Sequence, residues 1–235
     1  MKNISQALHL EISISNFNFY VTENNEQDNL EIIYKANVPI DGFEDYRISD
    51  LEKVFNVIKE NVFLIEQKVN HSFKEITLII DNFNPSFINI TGFKKLNGSQ
   101  VLRENITYIL NTLKSYVDKI ETKKNILHIF NSKFYLDNKN IDNLPIGLFG
   151  DFYSHELAFT LINKNDNKNL SNIFDRCNLK IKKVLVRSFI DGAYLSRKNI
   201  NTETFYIIKI NSQNSKIIYF ENNVLKFEQN FKFGT

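Results

Sequence analysis

Tryptophan is absent from this chain of 235 residues, cysteine and methionine occur once each, proline three times and glycine seven times. The single cysteine, Cys177, excludes an intrachain disulfide and fits a reducing compartment. Four dispersed histidines (His9, His71, His128 and His155) lack the spacing of a zinc site. No run reaches the ~18 apolar residues of a membrane-spanning helix. The opening MKNISQALHLEISIS lacks the continuous apolar stretch of a signal peptide. An excess of one charge is missing too: 29 Lys and Arg face 27 Asp and Glu, interspersed, for a net +2. That balance gives no basic field for nucleic acid and no polybasic patch for lipid. Ser, His and Asp are all present, but no nucleophile elbow surrounds a serine.

What the chain does have is apolar material in ordered patterns. Hydrophobic residues make up 43% and phenylalanine alone contributes 21, enough for one large domain or two small ones. Leu10, Ile12 and Ile14 alternate with polar residues, as do Phe17, Phe19 and Val21 after the Ser15-Asn16 turn. With residues 30–35 these predict three successive strands. Ser49 and Glu52 are spaced as a capping box, and Leu51, Val54, Phe55, Ile58, Val62, Ile65 and Val69 follow at helical spacing. A strand over 74–81 comes next. Residues 86–162 read as an insertion: a strand at 86–93, a helix from about Ser99, then strands at 125–136 and 155–162. The helical stripe Leu170, Ile173, Phe174, Cys177 and a strand at 182–187 resume the first pattern, with Asn178 placed to end the helix in a left-handed conformation. A helix at 189–197 and three closing strands complete the chain, the last two joined by an Asn222-Asn223 hairpin turn. Cys177 on its apolar stripe and His128 between Leu127 and Ile129 read as packing residues.

Scarce glycine and proline meet at one place. Pro145-Ile146-Gly147-Leu148-Phe149-Gly150 forms a Pro-x-Gly-x-x-Gly turn after the apolar strand that starts at Ile126. Glycine this rare marks a positive φ or a close backbone approach. This stretch, with Phe134-x-x-Asp137, carries a resemblance to the bacterial cell-division protein family FtsA, which is actin-like. The resemblance runs from about Leu10 to the end. It continues through Asn172 to Leu179 and Leu185 to Leu195 (LVRSFIDGAYL), where Ser188 and Phe189 stand in place of the usual Glu-Pro; Leu144 replaces the acid usual before the proline.

The resemblance implies an α/β, actin-like (ribonuclease H-like) lobe with an inserted α+β SHS2 subdomain and an incomplete second lobe. Subdomain 1A would hold residues 1–85 and 163–200, the inserted 1C or SHS2 subdomain 86–162, and the first three strands of subdomain 2A 201–235. Those last strands, without the rest of their sheet, are expected to expose apolar edges and to associate or fray.

In that family two hairpin turns grip ATP phosphates, with glycines for backbone approach and an aspartate in each turn for Mg²⁺ and its water. The first, Asp-x-Gly-[Ser/Thr], corresponds to Glu11, Ile12, Ser13 and Ile14, with Ser15 and Asn16 as further hydrogen-bonding residues. The second, Asp-Ile-Gly-Gly-Gly-Thr-Thr-Asp, corresponds to Lys209, Ile210, Asn211, Ser212, Gln213, Asn214, Ser215 and Lys216; Gly234 lies near the end of the chain. Acids become lysines and glycines gain side chains, so ATP and Mg²⁺ are cofactors by resemblance only and hydrolysis is not expected. Lysine attracts phosphate but ligates no Mg²⁺.

The family's partners would be FtsZ, late division proteins such as FtsN, and further copies of itself in filaments. Pro145, Gly147, Leu148, Phe149 and Gly150 form the candidate interaction loop, or simply a structural turn. Membrane contact in the family runs through a C-terminal amphipathic helix that these 235 residues do not include. The implied location is the cytoplasmic face of the inner membrane at the division site. A PilM-like scaffold of a pilus or secretion platform is the alternative. A sugar kinase of the same superfamily ranks last, because it needs the glycine-rich acidic turns.

Overall fold

A computed structural model describes residues 5–24, 30–81, 83–198, 202–212 and 214–234. The chain divides into two compact units: Met1–Asn84 with Lys164–Ile190, and Pro85–Asn163 with Asp191–Thr235.

The first unit is built on a five-stranded sheet. β1 (Gln6–Ile12), β2 (Asn16–Asn24) and β3 (Leu30–Pro39) form an antiparallel meander, while β6 (Glu75–Ile80) and β11 (Lys180–Val186) add in parallel on the other side of β1. The order is β11-β6-β1-β2-β3, that of an actin-like lobe. Alternation drives it: Leu8, Leu10, Phe17, Phe19, Val21, Ile76 and Leu78 are all buried. Each such side chain contributes about 1.5–3 kcal/mol of apolar burial. α1 (Leu51–Val69) buries Val54, Ile58, Val62 and Ile65 along one stripe. A small hairpin precedes it, β4 (Phe43–Glu44) with β5 (Arg47–Ile48), too short to show in the pattern.

The helix starts one residue later than the capping box predicts. Ser49 and Asp50 both direct their N–H groups to the Gly42 carbonyl, at 2.8 and 3.1 Å. Asp50 is extended and its Oδ1 accepts from Lys53 N at 3.0 Å. A carboxylate serves the positive helix end better than a hydroxyl. Glu52, expected to complete the box, is instead held by both guanidinium nitrogens of Arg176 at 2.7 and 2.8 Å. Arg176 closes α3 (Lys164–Arg176), and Asn178 just beyond has φ +56°, as expected of a residue ending a helix. Burial pushes the nearby Cys177 thiol up.

In the second unit, β7 (Ser86–Lys95), β10 (Phe152–Asn163), β8 (Lys124–Leu136) and β9 (Lys139–Ile141) form an antiparallel sheet in that order. α2 (Arg103–Ile120) supplies Ile109, Leu113 and Val117 to its core, with Tyr153, Leu157, Phe159 and Leu161 from β10. His155 lies among them, fully buried against Phe134 and Tyr153, and neither ring nitrogen has a hydrogen-bond partner among the described residues.

β12 (Phe205–Ile210), β13 (Ser215–Glu221) and β14 (Val224–Phe231) form a separate meander, with Asn222 and Asn223 both left-handed in the hairpin turn. α4 (Arg187–Lys198) carries the chain from the first unit into the second. Phe205 stacks on Phe220 on one face of this meander. Tyr206, Ile208 and Ile210 on the opposite face are 57–63% exposed.

Candidate functional site

The turn expected to correspond to the first phosphate turn is the β1–β2 hairpin. Its acid, Glu11, is 6% exposed. Arg187 Nη1, at the start of α4, donates to Glu11 Oε1 at 2.6 Å. The other oxygen takes Asn18 Nδ2 at 3.3 Å and the Tyr20 hydroxyl at 3.4 Å. Burial, with the Glu11 charge beside it, pushes the Tyr20 phenol up. A guanidinium therefore stands at the carboxylate expected to organise a cation. Ser13 closes the turn on itself: its N–H and hydroxyl both donate to Asn16 O at 2.9 Å, and its Oγ accepts from Asn16 N at 3.0 Å. Asn16 Nδ2 donates to Ser15 Oγ at 2.8 Å, and Ser15 O accepts from Ile40 N at 2.9 Å. The backbone N–H groups of Ser13 and Asn16 are thus committed within the hairpin.

The second turn, between β12 and β13, closes in the same way. Asn211 N donates to Asn214 O at 2.9 Å and its side-chain amide to Asn214 Oδ1 at 2.8 Å. Ser212 is exposed, and Gln213 lies outside the described residues. Both lysines that replace the family's acids have carboxylate partners. Lys209 Nζ is 2.5 Å from Asp191 Oδ2, and Lys216 Nζ is 3.4 Å from Glu228 Oε1 with both side chains buried. Gly234 is exposed beside Phe233, whose carbonyl takes the Ser215 hydroxyl at 2.9 Å. Two cavities, of about 410 and 350 Å³, open elsewhere, and neither is lined by a residue of these turns.

Side chains thus fill the roles that glycine and metal play in the family's turns. ATP and Mg²⁺ fit this donor set poorly: the N–H groups of Ser13, Asn16 and Asn211 are bonded within their own turns, and Glu11 is paired with Arg187.

The interaction loop is held from both sides. Gly147 N donates to Val101 O at 2.8 Å and Val101 N to Leu148 O at 2.9 Å; Gly98 N reaches Gly150 O at 3.0 Å and Gly150 N reaches Ser99 O at 3.2 Å. These bonds occupy residues 98–101, which is why α2 begins at Arg103 and not near Ser99. Asn105 Oδ1 caps Leu102 N there at 2.7 Å. Gly147 has φ +87°, and a Cβ on Gly150 would lie 2.5 Å from Leu136 Cδ1, so the turn needs one glycine for conformation and the other for contact. Asp137 joins the two halves of the motif: its Oδ1 accepts from Asp151 N and Phe152 N, both at 2.8 Å. Pro145 is buried, whereas Ile146, Leu148 and Phe149 are 46–68% exposed.

Comparison with known proteins follows this geometry. No protein-family model matches the chain. It is 24% identical over 184 residues to cell division protein FtsA of Buchnera aphidicola subsp. Schizaphis graminum, covering 78% of this chain and 44% of that protein. To FtsA of Buchnera aphidicola subsp. Baizongia pistaciae it is 23% identical over 221 residues, covering 92% and 51%. The chain thus spans about half the length of the curated relatives it matches. The solved PilM-PilN type IV pilus biogenesis complex superposes with a TM-score of 0.66 at 10% identity, over 97% of this chain and 62% of that one.

Strand order and structural likeness define an actin-like fold. Among sequences, the chain is similar to curated FtsA proteins. Among the described residues no helix is long and apolar enough to cross a membrane.

Proposed function

We propose that this protein is a scaffold of the bacterial division machinery that works by binding and not by nucleotide turnover. In this reading it sits at the cytoplasmic face of the inner membrane and links FtsZ to it. It recruits later division proteins such as FtsN, and self-associates. The observation that carries the binding mechanism is the internal pairing of charge at both phosphate turns: Glu11 with Arg187, and Lys209 with Asp191. A paired, buried carboxylate is a poor ligand for Mg²⁺, and side chains at the glycine positions keep the backbone from the phosphates. The exposed Leu148 and Phe149 on a rigid loop supply a contact surface.

Calorimetric titration with ATP and Mg²⁺ tests the mechanism, and micromolar Mg²⁺-dependent binding would overturn it. Co-sedimentation with FtsZ polymers, using the longest form the gene encodes, tests the role. Absence of pelleting would move the reading to a pilus or secretion scaffold, which the PilM-PilN likeness favours.

A further inference from the structure

Two strands of the second unit each carry a bulge whose extra residue bonds to the extra residue of the other. On β8, Lys133 pairs with Glu156 and Asn131 with Leu157, leaving Ser132 as a bulge. On β14, Phe227 pairs with Tyr219 and Leu225 with Phe220, leaving Lys226 as a bulge. Bulges bend a strand and re-aim a side chain. Here Lys226, 6% exposed, sends its ammonium to Ser132 Oγ and to Glu156 Oε1, the latter at 2.5 Å. Ser132 Oγ donates to the same Glu156 oxygen at 2.8 Å. The lone pairs and protons balance: the serine accepts from the lysine and donates to the glutamate, and the carboxylate accepts from both. Lys133 and Glu221 form a second pair alongside at 3.0 Å, and Glu221 Oε2 lies 3.5 Å from Lys226. Asn89 Nδ2 reaches Lys226 O at 3.4 Å.

We propose that Lys226, Ser132 and Glu156 form a latch that seats the three-stranded meander on the inserted sheet in one register. Ser132 and Glu156 belong to the inserted sheet, and Lys226 to the meander. Sliding either sheet by one residue turns a bulge side chain away and takes the buried ammonium from Ser132 and Glu156, leaving it only the 3.5 Å carboxylate of Glu221 on its own sheet, and leaves Glu156 without its closest cation, a penalty that a register shift must meet. Apolar contact alone tolerates small shifts; this cluster does not. The latch therefore fixes the β12–β13 turn relative to the inserted subdomain, so the meander and the insertion move together. This holds whether or not the phosphate turns bind nucleotide.

Amide hydrogen exchange on the whole chain tests it. Lys226→Met is expected to speed exchange across 205–231 by about 10- to 100-fold, the range for loss of charged hydrogen bonds. Protection of 75–80 in the first unit should stay unchanged. Glu156→Gln acts in the same direction, and the double variant is no worse than the more severe single one. Lys133→Met, at the more exposed pair, changes exchange by less than about 3-fold. Equal small effects at Lys226 and Lys133, or additive effects at Lys226 and Glu156, would overturn the latch. If Lys226→Met loses protection everywhere, the second change Glu156→Leu, which removes the stranded carboxylate, should restore it; failure to restore also overturns the proposal.

Discussion

His155 offers a prediction whose size the structure sets. The ring is fully buried between Phe134 and Tyr153, with neither nitrogen hydrogen-bonded among the described residues. Burial pushes it down to about 4. The unfolded chain titrates near the ordinary histidine value of about 6.5. Between these values the unfolded state binds a proton that the folded state refuses, so stability falls as pH falls from about 6.5 to about 4. The full gap corresponds to about 3 kcal/mol, and between pH 7 and pH 5 about 2 kcal/mol is lost. His9 and His128, also lowered by burial, add smaller losses of the same sign. Replacing His155 by Phe keeps an aromatic of similar shape and removes the titration. The variant should equal or exceed the wild type at pH 7, because a buried ring with unpaired nitrogens is exchanged for an apolar one. Urea unfolding at pH 7 and pH 5, with amide exchange in β10 as the local readout, measures the difference. A variant that loses as much stability as the wild type between the two pH values refutes the reasoning.

Two further outcomes follow from the site. Arg187→Ala strands the buried Glu11 carboxylate; removing one member of a buried pair costs about 3–5 kcal/mol, and the partial exposure of Arg187 lowers this to about 2–3. Urea unfolding should show that loss, and Glu11→Gln added to it should return most of it. Asp137→Ala removes the acceptor of two backbone N–H groups and should cost about 2–4 kcal/mol, seen as faster exchange at Asp151 and Phe152 with the first unit unaffected.

The periodicity of 2 in β1 and β2 and of 3.6 in α1 placed the frame of the first unit, because each of those elements buries one face only. The loop motif was legible for another reason: so few glycines leave little choice about where the chain turns sharply. The misplaced starts of α1 and α2 share one cause. In both, backbone N–H groups ahead of the helix are taken by distant carbonyls, Gly42 for the first and the 148–150 loop for the second, and no local pattern reveals such partners. The same limit hid the charged residues that define the site. Arg187 lies 176 positions from Glu11, and Lys226 lies 70 from Glu156. Alternation gave no warning of this pair: it sets Glu11 on the face opposite Leu10 and Ile12, where an acid is ordinarily solvated, and only the fold shows that this face is covered there.

In the proposed function, the pairing also explains why the departures at the two turns belong together. The Ser13 hydroxyl takes the Asn16 N–H and donates to the Asn16 carbonyl, two bonds that a glycine at this position would not make. In that reading the hairpin does not face phosphate, and the buried acid beside it still needs a cation, because an unpaired buried carboxylate is costly. Arg187 meets that need from within the chain, and Asp191 does the reverse for Lys209. Restoring a single glycine or a single aspartate would therefore not rebuild a nucleotide site: Glu11→Asp shortens the side chain away from Arg187, and Lys209→Asp sets a second acid against Asp191. Each change alone destabilises the fold without creating a ligand sphere. The two turns would have to be rebuilt together with their partners.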